Sequence, residues 1–98
     1  MSQIACLKKS SNPEKKYMVT IGDKTVHFGA TGYSDYTKHK DPERRERYVT
    51  RHQKRENWTK SGITTAGFWS LWLLWNKPTL KDSIADTERR FKIKIRRC

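Results

Sequence analysis

The sequence has few of the residues that build disulfide scaffolds or membrane spans. It contains only two cysteines, three prolines and five glycines among 98 residues. Two thiols form no metal-binding motif, and a chain of this size held by disulfides carries more, so we expect Cys6 and Cys98 to stay reduced. The longest apolar run is about 8 residues, whereas a membrane-spanning helix needs about 20. These absences predict a soluble or peripheral, intracellular protein without a signal peptide.

Apolar and acidic residues are also scarce. Hydrophobic residues make up 34% of the chain, which predicts a small core in a single domain. The 22 Lys and Arg residues outnumber the 10 Asp and Glu residues, for a net charge of +12. A charge of this size favours polyanionic partners, either nucleic acid or an anionic membrane surface.

The first third of the chain reads as β-structure. Ile4 to Lys9 predicts a short strand, and Gly22-Asp23 is typical of a two-residue hairpin turn between the strands Lys15–Ile21 and Lys24–Gly29. This turn predicts four cross-strand pairs, and it puts the larger apolar side chains on one face. The pairs are Thr20 with Thr25, Val19 with Val26, Met18 with His27, and Tyr17 with Phe28.

The remainder predicts three helices. Asp41 and Pro42 suit the start of a helix that runs to about Asn57. An apolar helix follows from about Thr64 to Asn76, where Lys77-Pro78 ends it. A third helix begins after Thr79, with Asp82 as the acidic partner of its cap, and reaches Phe91.

The predicted fold class is therefore α+β, with a small N-terminal antiparallel hairpin or three-stranded sheet followed by three helices. The segment after Phe91 alternates apolar and basic residues, which fits either a last strand or a basic tail that orders on binding. The predicted single domain comprises an N-terminal strand and loop (1–14), a hairpin (15–29), a helical part (41–91) and a basic tail (92–98).

Aromatic residues concentrate in the apolar helix, and they allow two interpretations. A helix that is apolar nearly all round is buried in a core or in an interface. Tryptophan is also favoured at interfaces, where its N–H stays hydrated. The candidate core or protein-interface anchors are Phe68, Trp69, Trp72, Trp75 and, in the preceding connector, Trp58.

Basic residues form a stripe on the first predicted helix and a cluster near the C-terminus. Arginine suits phosphate contacts, so both predict polyanion binding, although a solvated helix face with Glu43 pairing to Arg47 explains the stripe equally well. No zinc-finger spacing or aromatic RNA-binding motif supports base-specific recognition. The candidate polyanion-binding residues are Arg44, Arg47, Arg51, Lys54, Arg55, Arg89, Arg90, Arg96 and Arg97.

Catalysis has little support in the sequence. The three histidines, His27, His39 and His52, fall on a strand, a loop and a helix, without the spacing of a metal or nucleophile motif. We therefore predict no catalytic residue, no metal ligand and no cofactor, and the protein is expected not to be an enzyme.

Several stretches carry a resemblance that covers about Tyr17 to Phe91. They are His27-Phe-Gly, Gly32-Tyr-Ser-Asp-Tyr-Thr, His39-Lys-Asp, Arg51-His, Glu56-Asn-Trp-Thr-Lys-Ser-Gly, Ala66-Gly-Phe-Trp-Ser, Leu73-Leu-Trp-Asn-Lys-Pro and Asp86-Thr-Glu-Arg-Arg-Phe91. Together they resemble an uncharacterised family of short basic proteins of large nucleocytoplasmic double-stranded DNA viruses, algal chloroviruses among them. That family has no established activity, so the resemblance implies a viral context and assigns no site.

Two functions follow as hypotheses. The first is a non-enzymatic virion structural protein, a minor capsid or core-lining component that packs against larger viral structural proteins. It would be located in the virion and, before assembly, in the host cytoplasm or nucleus. The alternative is a sequence-independent nucleic-acid-binding protein that uses the basic stripe on DNA or RNA.

Overall fold

The computed structural model describes residues 4–98, and these form a two-layer α+β structure. The first residues of the predicted N-terminal segment, 1–3, lie outside the described residues. The strands are β1 (Ile4–Lys9), β2 (Lys15–Ile21), β3 (Lys24–Ala30) and β4 (Lys94–Arg97). The helices are α1 (Tyr36–His39), α2 (Pro42–His52), α3 (Ala66–Trp69) and α4 (Leu80–Phe91); a 3₁₀ turn covers Lys60–Gly62, and a π-helical segment, Ser70–Leu74, continues α3.

The α+β class is confirmed, but the predicted counts of strands and helices are wrong. The sheet has four strands in the order β3-β2-β1-β4, with β1 parallel to β4 and the other neighbours antiparallel. The additional strand is β4, in the C-terminal segment. The sequence pattern of this segment fitted either a strand or a basic tail. Ile93 and Ile95 point into the core at 3% and 7% exposure, and their burial favours the strand.

The hairpin is confirmed in register. Tyr17 pairs with Phe28 and Val19 pairs with Val26, while the Met18–His27 and Thr20–Thr25 pairs complete the ladder. Gly22 has a φ of 60°, the left-handed conformation that the turn requires and that glycine adopts without strain.

The helices cover one face of the sheet, where the core lies. Leu7, Val19 and Phe28 project from the strands and are almost completely buried. Phe68 and Trp69 meet them from α3, and the ring centroids of Phe28 and Trp69 are 6.4 Å apart. The apolar helix therefore lies on the hydrophobic face of the hairpin.

The apolar helix is shorter than predicted, and its second half is π-helical. It begins after Thr65, whose hydroxyl accepts a bond from the Phe68 N–H, and it ends at Trp75. The last four carbonyls of a helix have no intrahelical donor. The Thr87 hydroxyl donates to the Trp72 carbonyl at 3.2 Å, and Arg45 Nε donates to the Trp75 carbonyl at 2.7 Å. Side chains of α4 and α2 thus satisfy this backbone.

One further helix boundary and one additional helix differ from the prediction. Helix α2 begins at Pro42 with Asp41 as its cap, as predicted, but it ends at His52 rather than near Asn57. The N–H groups of Arg55 and Glu56 both donate to the His52 carbonyl, so the chain turns there. The stretch before α2 contains the single-turn helix α1, which is capped by the Asp35 carboxylate and was not among the three predicted helices.

The predicted cap of the last helix is confirmed. The Thr79 hydroxyl accepts a bond from the Asp82 N–H at 3.1 Å, and α4 runs to Phe91 as expected.

Cys6 and Cys98 form a disulfide, contrary to the expectation that both thiols stay reduced. Their Cα atoms are 5.7 Å apart, because β1 and β4 are neighbours in the sheet. The parallel pairing joins the two ends of the chain, a long-range contact that a cysteine count does not reveal. Within the described range, no helix is long and apolar enough to cross a bilayer.

The disulfide closes a loop with a sequence separation of 92 residues, so its loss should destabilise the fold. We expect reduction to lower the free energy of unfolding by about 2–4 kcal/mol, mainly because the unfolded chain regains conformational freedom. Urea unfolding followed by tryptophan fluorescence, with and without reductant, measures this change. The Cys6→Ser/Cys98→Ser variant is the control, and its unfolding midpoint should not depend on reductant. A wild-type urea midpoint that is the same with and without reductant would contradict the prediction.

Candidate polyanion-binding cleft

A cleft of about 480 Å³ lies between α2 and the adjoining ends of β2 and β3. We refer to it as the α2 cleft. Its floor is formed by α3 and the π-helical segment through Gly67, Ser70 and Leu74. Its volume is within the range of roughly 300–1,000 Å³ that is usual for small-molecule sites.

Stacked aromatic rings form the inner wall of the α2 cleft. Tyr48 lies on the inner face of α2, and its ring is parallel to that of Trp75, with centroids 4.3 Å apart and an interplanar angle of 3°. His52 stacks on the other side of Tyr48 at the same centroid distance. The Tyr48 hydroxyl donates to Ser70 Oγ at 3.2 Å. This stack attaches α2 to the apolar helix and makes the wall rigid.

The rim of the cleft is cationic. Arg44 and Arg51 are exposed on α2, and Lys15 is half-buried at the start of β2. None of the three ion pairs found among residues 4–98 involves any of them. Their charges are therefore available to an anionic ligand.

An ion pair anchors the loop beside the rim. Lys16 Nζ lies 2.6 Å from the carboxylate of Asp35, which is only 2% exposed. The same ammonium group donates to the Tyr33 carbonyl. The Tyr33 side chain itself is 73% exposed and lines the cleft. The buried pair therefore holds an exposed aromatic ring at the mouth of the cleft.

The interior of the cleft contains one further carboxylate. Glu56 lies against Gly67, where a methyl group would overlap its side chain. No hydrogen bond or ion pair from another described side chain reaches this carboxylate. The cleft is thus cationic at its rim and acidic and aromatic inside.

Burial controls ionisation along this wall. Burial, followed by the charges of Arg51 and Arg55, lowers the pKa of His52, although Glu56 opposes the shift. Burial raises the pKa of Tyr48, so its hydroxyl stays protonated. Burial and Arg44 lower the pKa of His39, whose Nδ1 accepts a bond from the Asp41 N–H at 2.9 Å. Both histidines are therefore neutral near pH 7.

The predicted polyanion-binding residues are only partly brought together. Arg44 and Arg51 border the cleft, whereas Arg47 lies on the outer side of α2. Among the ion pairs of the described residues, none joins Glu43 to Arg47, so the pairing expected for a solvated helix face is absent. Lys54 and Arg55 follow the end of α2 in the turn, and Arg96 and Arg97 lie on β4.

The two arginines at the end of α4 have an internal partner. Asp86 pairs with Arg89 at 2.8 Å and with Arg90 at 3.4 Å. Its pKa is lowered, chiefly because the Asn76 amide donates to its carboxylate. Arg90 also stacks over the Trp72 ring at 4.8 Å. These two charges are less available to a ligand than those on α2.

The candidate anchors of the apolar helix are used inside the molecule. Phe68 and Trp69 are completely buried, whereas Trp72, Trp75 and Trp58 are half-buried. The Trp69 indole donates to the Ile63 carbonyl at 2.6 Å, and the Trp72 indole donates to the Trp58 carbonyl at 3.0 Å. The structure therefore favours the core interpretation of this helix over the interface interpretation.

Sequence reasoning missed several members of the cleft: Lys15, Lys16, Tyr33, Asp35, Glu56 and Gly67. Most come from the hairpin end and the loops, so only the tertiary fold brings them to α2. One local signal was present, because Asp35 precedes Thr37 in the spacing of a helix cap. Residues 4–98 contain no group of three or more His, Cys, Asp or Glu side chains that could hold a metal ion.

Comparison with known proteins identifies one similarity. A model described as "Family of unknown function (DUF5754)" matches residues 5–52, which is 48 of 98 positions. The matched part extends from β1 through α2, and it includes the cationic rim and Tyr33 but not the apolar helix. No curated protein and no solved structure matches the chain.

The half-buried side chains of His39 and His52 predict a pH-dependent stability. The pKa values of both histidines are lower in the folded protein than in the unfolded chain, where they are about 6.5. The unfolded chain therefore binds protons more readily than the folded protein as the pH falls below that value. We expect the free energy of unfolding to decrease as the pH falls from about 7 to about 5. Urea titrations across this range measure the effect, which the His39→Gln/His52→Gln variant should flatten. A wild-type stability that is constant across the range would contradict the prediction.

Proposed function

We propose that this protein binds nucleic acid without preference for base sequence, through the exposed face of α2 and the rim of the α2 cleft. The supporting observation is that Arg44 and Arg51 are exposed and lack a carboxylate partner among the described residues. Unneutralised arginines release counterions from a phosphate backbone, and this release supplies most of non-specific binding.

The geometry of α2 suits a phosphate backbone. Arg44 and Arg51 are seven residues apart, or about 10 Å along the helix axis. Phosphates recur about every 3.4 Å along one strand of a duplex, so the two guanidinium groups can reach phosphates on a single strand. Lys15 extends the cationic surface toward the sheet, and the net charge of +12 attracts the polyanion over longer distances.

A binding role, rather than catalysis, is part of this proposal. His27, His39 and His52 lie on β3, α1 and α2, and each ring has a structural role. His27 Nδ1 is hydrogen-bonded to Ser10 Oγ at 2.8 Å, whereas His39 and His52 pack on the aromatic wall.

The virion structural role stays a prediction that depends on the viral resemblance. It assumed that aromatic side chains of the apolar helix were available to larger structural proteins. Because Phe68 and Trp69 are buried, that surface is reduced, and we rank nucleic-acid binding first. The two roles are compatible in a particle that packages a genome.

Salt dependence tests the nucleic-acid proposal. Affinity for a mixed-sequence duplex, measured by fluorescence anisotropy, should fall steeply as salt rises. In the Arg44→Ala/Arg51→Ala variant, the slope of log K against log salt should become less negative by about 2, because two phosphate contacts are lost.

The matched control is Lys24→Ala/Lys81→Ala, which removes the same charge from exposed positions on β3 and α4 that do not line the cleft. It should keep a slope near the wild-type value. An equal change of the salt slope in the two variants would contradict the location of the site. The absence of duplex binding by the wild-type protein at about 50 mM salt would contradict the function.

The virion prediction is tested by mass spectrometry of purified particles of a virus that encodes this chain. We expect many copies per particle if the protein lines the capsid or the core. Its presence in infected cells together with its absence from purified particles would exclude a virion role and would leave the nucleic-acid proposal standing.

A further inference from the structure

The α2 cleft contains features that binding to a phosphate backbone does not require. A duplex presents phosphates outward and keeps its bases paired and stacked, so it would touch only the rim. Behind that rim, the same cleft contains aromatic rings, small residues and a carboxylate. A ligand that fills the cleft would contact both parts.

The charge distribution orients such a ligand. Arg44 and Arg51 attract an anionic group to the rim, whereas Glu56 disfavours an anionic group inside. The interior is lined by the stacked rings of Tyr48 and Trp75 and by Leu74. A ligand that matches has a planar heterocycle at one end and a phosphate at the other.

Tyr33 supplies a stacking surface at the mouth. Its side chain is 73% exposed, in a molecule whose other aromatic rings are mostly buried or half-buried. The backbone around it is held by the Lys16–Asp35 pair, so the ring is presented without a large ordering cost. Exposed aromatic rings beside a cationic groove are typical of single-strand binding, because every base has a face that stacks.

We propose that the α2 cleft holds one unpaired nucleotide, with its base against Tyr33 and the aromatic wall and its phosphate on Arg44 and Arg51. The inference rests on the proposed nucleic-acid function and specifies its substrate as single-stranded. A base in a duplex reaches the cleft only after it is unpaired and unstacked, so single strands bind more tightly than duplexes at the same salt.

The test separates the base from the phosphate. It uses oligothymidylate of about 12 nucleotides, an abasic strand of the same length and a duplex of the same length. Wild-type protein should bind oligothymidylate about tenfold more tightly than the abasic strand, because only the former can stack. Equal affinities for these two strands would overturn the inference.

Variants assign the effect to the cleft. Tyr33→Ala should remove most of the tenfold preference and leave binding to the abasic strand and the duplex unchanged, whereas Tyr33→Trp should keep the preference. Ile4→Ala, at the other large apolar side chain that is exposed among residues 4–98, is the matched control and should bind like the wild type. A Tyr33→Ala variant that retains the full preference would overturn the inference.

Three further outcomes distinguish the possible failures. The duplex and the abasic strand can bind with a salt dependence that requires Arg44 and Arg51, while oligothymidylate binds no more tightly than the abasic strand. In that case the proposed binding to the phosphate backbone stands, and the inference about the cleft is wrong. If none of the three ligands binds at about 50 mM salt, the proposed function itself fails. Thymidine monophosphate can be added as a competitor. If its affinity equals that of oligothymidylate, the cleft binds free nucleotides rather than a strand, and the inference is overturned.

Discussion

The burial of the apolar helix against the sheet is the constraint on which the rest of the structure depends. Phe68 and Trp69 belong to the same buried cluster as Phe28 and Val19, and Leu80, Ile84 and Phe91 of α4 pack against it. Burial of large aromatic side chains is the main favourable term available to a chain with so few hydrophobic residues. The flanking elements take their positions from this packing.

The C-terminal end of this helix organises the cleft. Carbonyls at a helix end lack intrahelical donors, and Arg45 donates to the carbonyls of both Trp75 and Asn76. The stack of Tyr48 on Trp75 adds a second attachment for α2. Since Arg44 lies directly beside Arg45 and Arg51 lies one turn beyond Tyr48, these internal contacts also determine where the exposed arginines lie. The charged surface is thus positioned by the core.

Local features of the sequence predicted local structure well. The Gly22-Asp23 turn determined the hairpin register, and the caps at Asp41 and Thr79 located the starts of two helices, because these signals act between residues a few positions apart. The end of α2 was missed, because the basic stripe continues in helical phase to Arg55, whereas the chain turns at His52, whose carbonyl accepts from the N–H groups of Arg55 and Glu56. The β1–β4 pairing and the Cys6–Cys98 bond were missed because they join residues about 90 positions apart, where a single sequence has no periodic signal.

In the candidate site, too, the residues close together in sequence were predicted, and those brought together by the tertiary fold were not. Arg44 and Arg51 were identified because a helical period places them together. Tyr33, the Lys16–Asp35 pair and Glu56 were not, because a cleft forms where separate elements meet and no single segment encodes it. The aromatic residues were noticed for their number, but only the packing shows that most of them support the core, whereas the exposed ring comes from a loop.

The link between Cys6 and Cys98 has a consequence for how the chain responds to cleavage. It closes the polypeptide between these residues into a covalent ring, so one cut in any intervening loop, such as the connector from Gln53 to Thr59, leaves a single molecule. The two pieces stay held by the sulfur bridge and by the parallel strands beside it. A protease would therefore have to cut twice within the ring to release a fragment, and a nicked molecule would separate into two pieces on a denaturing gel only after its disulfide was reduced.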